Sequence, residues 1–219
     1  KKQARCPNVS CPAQLRGRLT HYASREGMDI EGLGEKRAAQ LIDAGLIERI
    51  SDLYALEKDD LLELERFADT SAQNLLDEIE ASLEQDLDRF LYALGIPLVG
   101  AHGARLLATH LGDLDAIMEA TEETLRSIGD IGPEGAHSIV AFFDEPANRA
   151  VIAAIRAAGL TLTNPYRASE QPLEGLTFVF TGQLEEWTRD EVERLVERLG
   201  GRATSRDRKS TRLNSSHYS

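Results

Sequence analysis

One short pattern occurs four times between residues 30 and 139, at intervals of 34, 32 and 32 residues. Each copy contains, in order, an aliphatic residue, a hydrophobe, a small residue, an alanine and a leucine or isoleucine. Aligned on the small residue, the five columns are Ile30, Leu64, Ile96, Ile128; Leu33, Phe67, Val99, Ile131; Gly34, Ala68, Gly100, Gly132; Ala38, Ala72, Ala104, Ala136; and Leu41, Leu75, Leu107, Ile139. A repeat of this length predicts four equivalent supersecondary units that pack on one another.

The spacing within each copy predicts a helix, a tight turn and a second helix. The alanine and the leucine or isoleucine three residues later share one helix face, and the small side chain allows close helix packing. Glycine in the turn permits backbone angles or close approaches that a Cβ would prevent. The pattern resembles the helix-hairpin-helix motif, Gly-hydrophobe-Gly followed by alanine. Residues 32–34 (GLG) fit it fully, 98–100 (LVG) and 130–132 (DIG) keep the second glycine, and 66–68 (RFA) keep neither.

Such a hairpin has a chemical use at the start of its second helix. The first N–H groups of a helix lack partners within the helix and lie at the positive end of its dipole. Where glycine leaves them uncovered, a phosphate oxygen can approach them, which predicts contact with the DNA backbone irrespective of base sequence. The candidate DNA-binding residues from this argument are Gly32, Gly34, Lys36, Arg37, Gly100, His102 and Gly132, and the family resemblance given below implies two more, Gly103 and Gly135. We expect the second hairpin to be structural only, and the alternative for all four is a helical solenoid whose glycines only form turns.

The charge distribution restricts how this chain could bind nucleic acid. The net charge of the 219 residues is −12, with six bases and no acid in residues 1–25 but 36 acids and 16 bases in residues 26–206. An acidic body opposes general attraction to DNA, so any contact must be local. The 42% apolar content excludes a wholly disordered chain, and no apolar stretch is long enough to span a membrane.

The composition changes along the chain and predicts five stretches. A basic segment carries both cysteines, a helical region follows, a proline-containing linker comes next, and a strand and a capped helix precede a polar tail that resembles translated sequencing adapter. The boundaries are 1–25, 26–160, 161–174, 175–206 and 207–219. We expect the tail to be adapter-like or disordered and without a function.

The two cysteines, Cys6 and Cys11, are placed as one half of a zinc site. A structural zinc ion needs four ligands, commonly two such pairs, so these thiols require ligands from elsewhere to hold it. Free buried thiols are the alternative. Two cysteines do not make an extracellular disulfide framework, which favours a reducing, cytoplasmic location.

Three strings resemble one family, the bacterial NAD-dependent DNA ligases. They are residues 6–14 (CPNVSCPAQ), 21–34 (HYASREGMDIEGLG) and 89–100 (RFLYALGIPLVG), and they occur in the family's order. The resemblance implies a mainly α fold: a tandem helix-hairpin-helix domain with an N-terminal zinc-finger remnant and a truncated α/β BRCT start. It implies that Cys6 and Cys11 are the second cysteine pair of a four-cysteine zinc finger.

The resemblance also implies a parent enzyme that seals single-strand nicks in duplex DNA during replication and repair, using NAD and magnesium. Its adenylated lysine lies in a Lys-x-Asp-Gly motif, which this sequence lacks, so we expect no catalytic residue here and no activity from this part alone. The expected partner is nicked duplex DNA, contacted across the minor groove by a monomer. We expect the lone strand of the BRCT start to be unpaired and poorly ordered. The alternatives are a stand-alone helix-hairpin-helix or junction-binding module and an acidic protein-interaction scaffold.

Overall fold

The computed structural model describes residues 14–166, 173, 175–180 and 188–204, which divide into two compact units between Asn164 and Pro165. The first unit is mainly helical. Its elements are α1 (Leu15–Tyr22), α2 (Glu35–Asp43), a 3-10 helix (Ile50–Ala55), α3 (Lys58–Leu62), α4 (Asp69–Ala81), β1 (Glu84–Asp86), α5 (Leu87–Ala93), α6 (Ala101–Leu111), α7 (Leu114–Met118), α8 (Glu122–Ser127), α9 (Pro133–Asp144), α10 (Pro146–Ala157) and β2 (Thr161–Thr163).

The four predicted hairpins are confirmed as four pairs of contacting helices. The first hairpin is α1 with α2, the second α3 with α4, the third α5 with α6 and the fourth α8 with α9. The alanine column of the repeat is fully buried in all four hairpins, at Ala38, Ala72, Ala104 and Ala136. The leucine or isoleucine column is buried as well. The repeat therefore encodes the helix-packing contacts, as its spacing predicts.

The helical unit begins earlier than the predicted boundary at residue 26. Helix α1 buries Leu15, Leu19 and Tyr22 and packs against α2, so residues 15–22, which the sequence places in the cysteine-bearing segment, are part of the helical unit. Arg89 on α5 holds the loop that follows α1, because its guanidinium donates to the carbonyl oxygens of Arg25 and of Gly27, the latter at 3.0 Å.

The unit also ends later than predicted. Residues 161–163, expected to open a linker, form β2 and pair in parallel with β1. The Thr161 N–H donates to Leu83 O at 2.8 Å, and the Thr163 hydroxyl donates to the Asp86 carboxylate at 2.6 Å. The β-branched threonines favour a strand here. The sequence near β2 does not reveal the pairing, because the partner strand β1 lies more than 70 residues earlier in the chain.

A buried chain of hydroxyl groups joins α1, the 3-10 helix and α4. The Tyr22 and Tyr54 hydroxyls lie 2.7 Å apart, and the Tyr54 and Ser82 hydroxyls lie 3.2 Å apart. Ser82 completes the chain by donating to Ile79 O at 2.7 Å. Burial raises the pKa of both tyrosines, that of Tyr22 well above its ordinary value. The fold therefore disfavours ionisation of both phenols.

The second unit contains β3 (Thr177–Val179), α11 (Arg189–Arg198) and β4 (Arg202–Thr204). Strands β3 and β4 pair in parallel, so the expectation of one unpaired strand is wrong. The sequence signal for β4 is weak because it has only three residues and follows the glycines that end α11. Gly201 is needed for packing, since a Cβ there would lie 2.8 Å from the Val196 side chain. The adapter-like tail, residues 207–219, lies outside the described residues.

Candidate nucleic-acid interface

The same turn joins the helices of every hairpin. The N–H of the hydrophobe column donates to the carbonyl of the aliphatic residue three positions earlier, at 3.1–3.3 Å in the four copies. The third residue of this four-residue turn, two positions before the aligned small residue, has a left-handed backbone with φ of 65–84°. We call it the tip residue; the four are Gly32, Arg66, Leu98 and Asp130. Positive φ at this place is the pattern of a type II turn, which favours glycine.

The aligned small residue caps the second helix of each hairpin, and we call it the cap residue. Gly34, Ala68, Gly100 and Gly132 are the cap residues of α2, α4, α6 and α9, all with extended backbone angles. These angles suit any residue, as Ala68 demonstrates. A Cβ built on any of the three cap glycines meets nothing within 4 Å. The fold therefore gives no steric reason for glycine at the cap. The position where the backbone conformation favours glycine is the tip residue, because its φ is positive.

The first two hairpins pack against each other through polar contacts. The Gln40 side chain on α2 donates to Glu65 O in the second turn at 2.8 Å. Arg37 places its guanidinium 5.0 Å from the centre of the Phe67 ring and donates to Gly32 O at 3.0 Å. Arg37 is therefore partly engaged within the fold, whereas its neighbour Lys36 is exposed.

The third and fourth hairpins make an equivalent contact with the order of the two hairpins reversed. The Ser138 hydroxyl on α9 donates to Pro97 O in the third turn at 2.6 Å. Gln40 and Ser138 are both six residues after a cap residue, and their acceptors are both three before one. A crevice of about 150 Å³ between these hairpins is lined by Leu98, Val99, Gly103, Asp130, Ile131, Gly132, Gly135 and Ile139. The predicted residues Gly103, Gly132 and Gly135 therefore come together in one place.

The helix starts differ in charge. Helices α2, α4 and α9 each carry an acidic residue in the first turn, at Glu35, Asp69 and Glu134, whereas α6 carries none. His102 lies in the first turn of α6 and is more than half exposed. An acidic side chain opposes an incoming anion, so α6 lacks this repulsion from its own first turn, whereas α2 offsets Glu35 with Lys36 and Arg37.

The second hairpin is closed by its own side chains. The Ser71 hydroxyl accepts the Ala68 N–H at 2.9 Å and donates to Ala68 O at 3.0 Å. Asp69, the next residue, pairs with Lys58 at 2.8 Å. The Ser71 side chain and the Asp69–Lys58 ion pair therefore lie at the start of α4, where a phosphate would have to approach, in keeping with the expected structural role of this hairpin.

Sequence reasoning missed the tip residues Arg66, Leu98 and Asp130 because it treated their column as a lost glycine. Their shared position with Gly32 in the repeat is the signal that could have identified them. The predicted zinc ligands Cys6 and Cys11 lie outside the described residues. Within the part of the chain that is described, no three His, Cys, Asp or Glu side chains form a cluster able to hold a metal ion. No helix there is long and apolar enough to cross a membrane.

Known protein families match three parts of the chain. Residues 25–81 match the SAM-like helix-hairpin-helix tandem, and residues 89–152 match the helix-hairpin-helix motif. Residues 168–217 match the BRCA1 C Terminus (BRCT) domain. The first two matches cover the turns of all four hairpins.

Proteins named DNA ligase match nearly the whole chain. The DNA ligase of Salinibacter ruber is 69% identical over 94% of this chain, and that of Natronomonas pharaonis is 51% identical over 90%. The chain spans about three tenths of the length of these relatives, 30% and 28% respectively. Identity of this extent favours a ligase segment over a stand-alone module. The chain is therefore similar to a C-terminal part of proteins named DNA ligase, and its matches are a tandem helix-hairpin-helix region followed by a BRCT domain.

Proposed function

We propose that this chain holds duplex DNA for a nick-sealing DNA ligase by binding backbone phosphates at the helix starts of its hairpins. The observation that carries the proposal is the set of cap glycines, Gly34, Gly100 and Gly132. Each is exposed, each begins a helix, and none has a neighbour that a Cβ would touch. A glycine that the chain does not need for its own packing fits a surface that a ligand approaches closely.

The donors would be the amides of the first helical turn. In the first hairpin these belong to Lys36 and Arg37, and in the third to His102 and Gly103. In the fourth hairpin, Pro133 has no N–H, so the donors would be Glu134 and Gly135. Backbone amides bind phosphate without adding positive side chains, which explains how an acidic chain could bind DNA. Lys36 and His102 would add local positive charge.

The activity belongs to the longer protein. We infer that the parent enzyme transfers AMP from NAD to the 5′-phosphate of a nick, with magnesium, on domains outside this chain. This part would position the nicked duplex by contacts across the minor groove of the DNA. It would have no ligase activity alone. The protein would be a monomer in the cytoplasm. Cys6 and Cys11 would supply two of four zinc ligands, which is a proposal from the sequence only.

Substitution of two cap glycines tests the proposal. Gly100→Val and Gly132→Val should each weaken binding of the 219-residue chain to nicked duplex by about 10- to 100-fold, equivalent to the loss of one charge-assisted hydrogen bond. The loss should be equal for two unrelated base sequences, and the melting temperature should stay within a few degrees. Ala68→Val is the matched control at the closed hairpin and should change the affinity little. Unchanged affinity in well-folded glycine variants would contradict the proposal.

A further inference from the structure

Leu98 is placed where a leucine is unfavourable in two respects. It is 72% exposed, the highest exposure among the large hydrophobic residues of the described part of the chain. Its φ is +67°, a left-handed conformation that side chains with a Cβ rarely adopt. The equivalent tip residue of the first hairpin is Gly32. Neither burial nor backbone geometry therefore accounts for leucine at this position.

The position of Leu98 connects it with the proposed phosphate site. It is two residues before the cap residue Gly100, and it lines the crevice that also contains Gly103, Gly132 and Gly135. Val99, Ile131 and Ile139 give the same crevice an apolar lining. A DNA strand bound at the amides of α6 would thus run past an exposed apolar side chain.

We propose that Leu98 packs against the deoxyribose of a nucleotide whose phosphate is held at the third hairpin, and that it favours deoxyribose over ribose there. This inference rests on the proposed function. The sugar is bonded directly to the phosphate, and its C–H groups are the apolar part of the backbone that a leucine can cover. A 2′-hydroxyl pressed against leucine would lose its water without gaining a hydrogen bond, which disfavours ribose.

Three variants of the 219-residue chain separate this contact from a role in folding. Leu98→Asn tolerates the left-handed backbone and removes the apolar side chain, so it should keep the melting temperature but weaken binding to nicked DNA about tenfold. Because no charge changes, the salt dependence of binding should run parallel to that of the unaltered chain. Leu98→Met keeps an apolar side chain and should therefore retain most of the affinity of the unaltered chain. Leu62→Asn, at another exposed leucine, is the control and should bind normally.

A scan with ribonucleotides gives a second readout that folding alone would not alter. Single ribonucleotides are placed in turn along each strand of the nicked duplex, and the affinity is measured by titration. A ribonucleotide at one or two of these positions should weaken binding of the unaltered chain several-fold relative to the all-DNA duplex. The Leu98→Asn variant should bind the ribonucleotide-containing and all-DNA duplexes equally. If Leu98→Asn binds normally while Gly100→Val and Gly132→Val bind poorly, the inference fails and the proposed function stands. If all three bind normally, both fail.

Discussion

The imidazole Nε2 of His102, in the third hairpin, lies 3.5 Å from the Oδ2 of Asp130, the tip residue of the fourth hairpin. Both side chains are more than half exposed, so they face the solvent where a bound strand would lie. Asp130 therefore places a negative charge beside the one of the four helix starts that has no acidic residue in its own first turn. The contact joins the two hairpins, and its negative charge would oppose a phosphate bound at the proposed site.

Removal of that charge should strengthen DNA binding. Asp130→Asn keeps the shape of the side chain, and asparagine tolerates the left-handed backbone, so the fold should be retained. We expect affinity for nicked duplex to rise about two- to fivefold at low salt, the effect of one exposed charge near the ligand. Fluorescence anisotropy titration with a labelled nicked duplex measures the change.

Asp144→Asn is the matched control for this prediction. Asp144 ends α9, the same helix whose start lies beside the crevice, and it is exposed. A 12-residue helix is about 18 Å long, about twice the screening length at physiological salt. Equal gains from both variants would mean that the overall charge, rather than the position of Asp130, controls binding.

Arg89 should contribute to stability through its planar guanidinium. It donates to two carbonyl oxygens of the loop after α1 and lies 3.4 Å from the Asp29 carboxylate. Lysine cannot reach both carbonyls from one nitrogen, so Arg89→Lys should lower the free energy of unfolding by about 2 kcal/mol. Urea denaturation followed by circular dichroism measures the loss. Arg16→Lys, at an exposed position on α1, should cost almost nothing, and a similar cost for both would refute this role.

The buried tyrosines predict a loss of stability in alkali. Burial raises the pKa of Tyr22 and Tyr54 in the folded chain above the ordinary value of 10.0. Above that pH the unfolded chain loses protons that the folded chain retains, so the free energy of unfolding should fall as the pH rises past about 10. Below it, these groups add no pH dependence.

Tyr22→Phe tests the origin of the alkaline loss. The variant loses the hydrogen bond to Tyr54, so it should be about 1 kcal/mol less stable at pH 8. Its stability should then fall less steeply between pH 10 and 11, because one fewer buried phenol resists ionisation. Urea titrations at each pH provide the comparison, with Tyr92→Phe, outside this chain of hydrogen bonds, as the matched control. An equally steep fall in Tyr22→Phe would exclude Tyr22 as its source.

The sequence predicted the hairpins because their packing depends on local spacing. Ala38 and Leu41, for example, lie on one face of α2, and the same two columns are buried in each copy. A helical period is visible within one short window, so it needs no knowledge of distant residues. The cap glycines were identified for the same reason.

Other features depend on contacts that no local pattern records. The pairing of Glu84 with Thr161 joins residues far apart in the chain, so β2 was mistaken for part of a linker. The left-handed backbone of Leu98 was not foreseen because a leucine side chain disfavours it. The hairpin turn imposes that conformation, and sequence preference alone would have placed glycine there.

The most direct test of the account follows the backbone amides themselves. The ¹⁵N–¹H spectrum of the chain should be recorded during titration with a nicked duplex. Phosphate binding at the helix starts predicts large downfield shifts of the amide protons of Lys36, His102, Gly103 and Gly135, and little change at Ser71 in the closed hairpin. Saturable binding that leaves these four amides unshifted, with the changes confined to lysine and arginine side chains, would contradict the account.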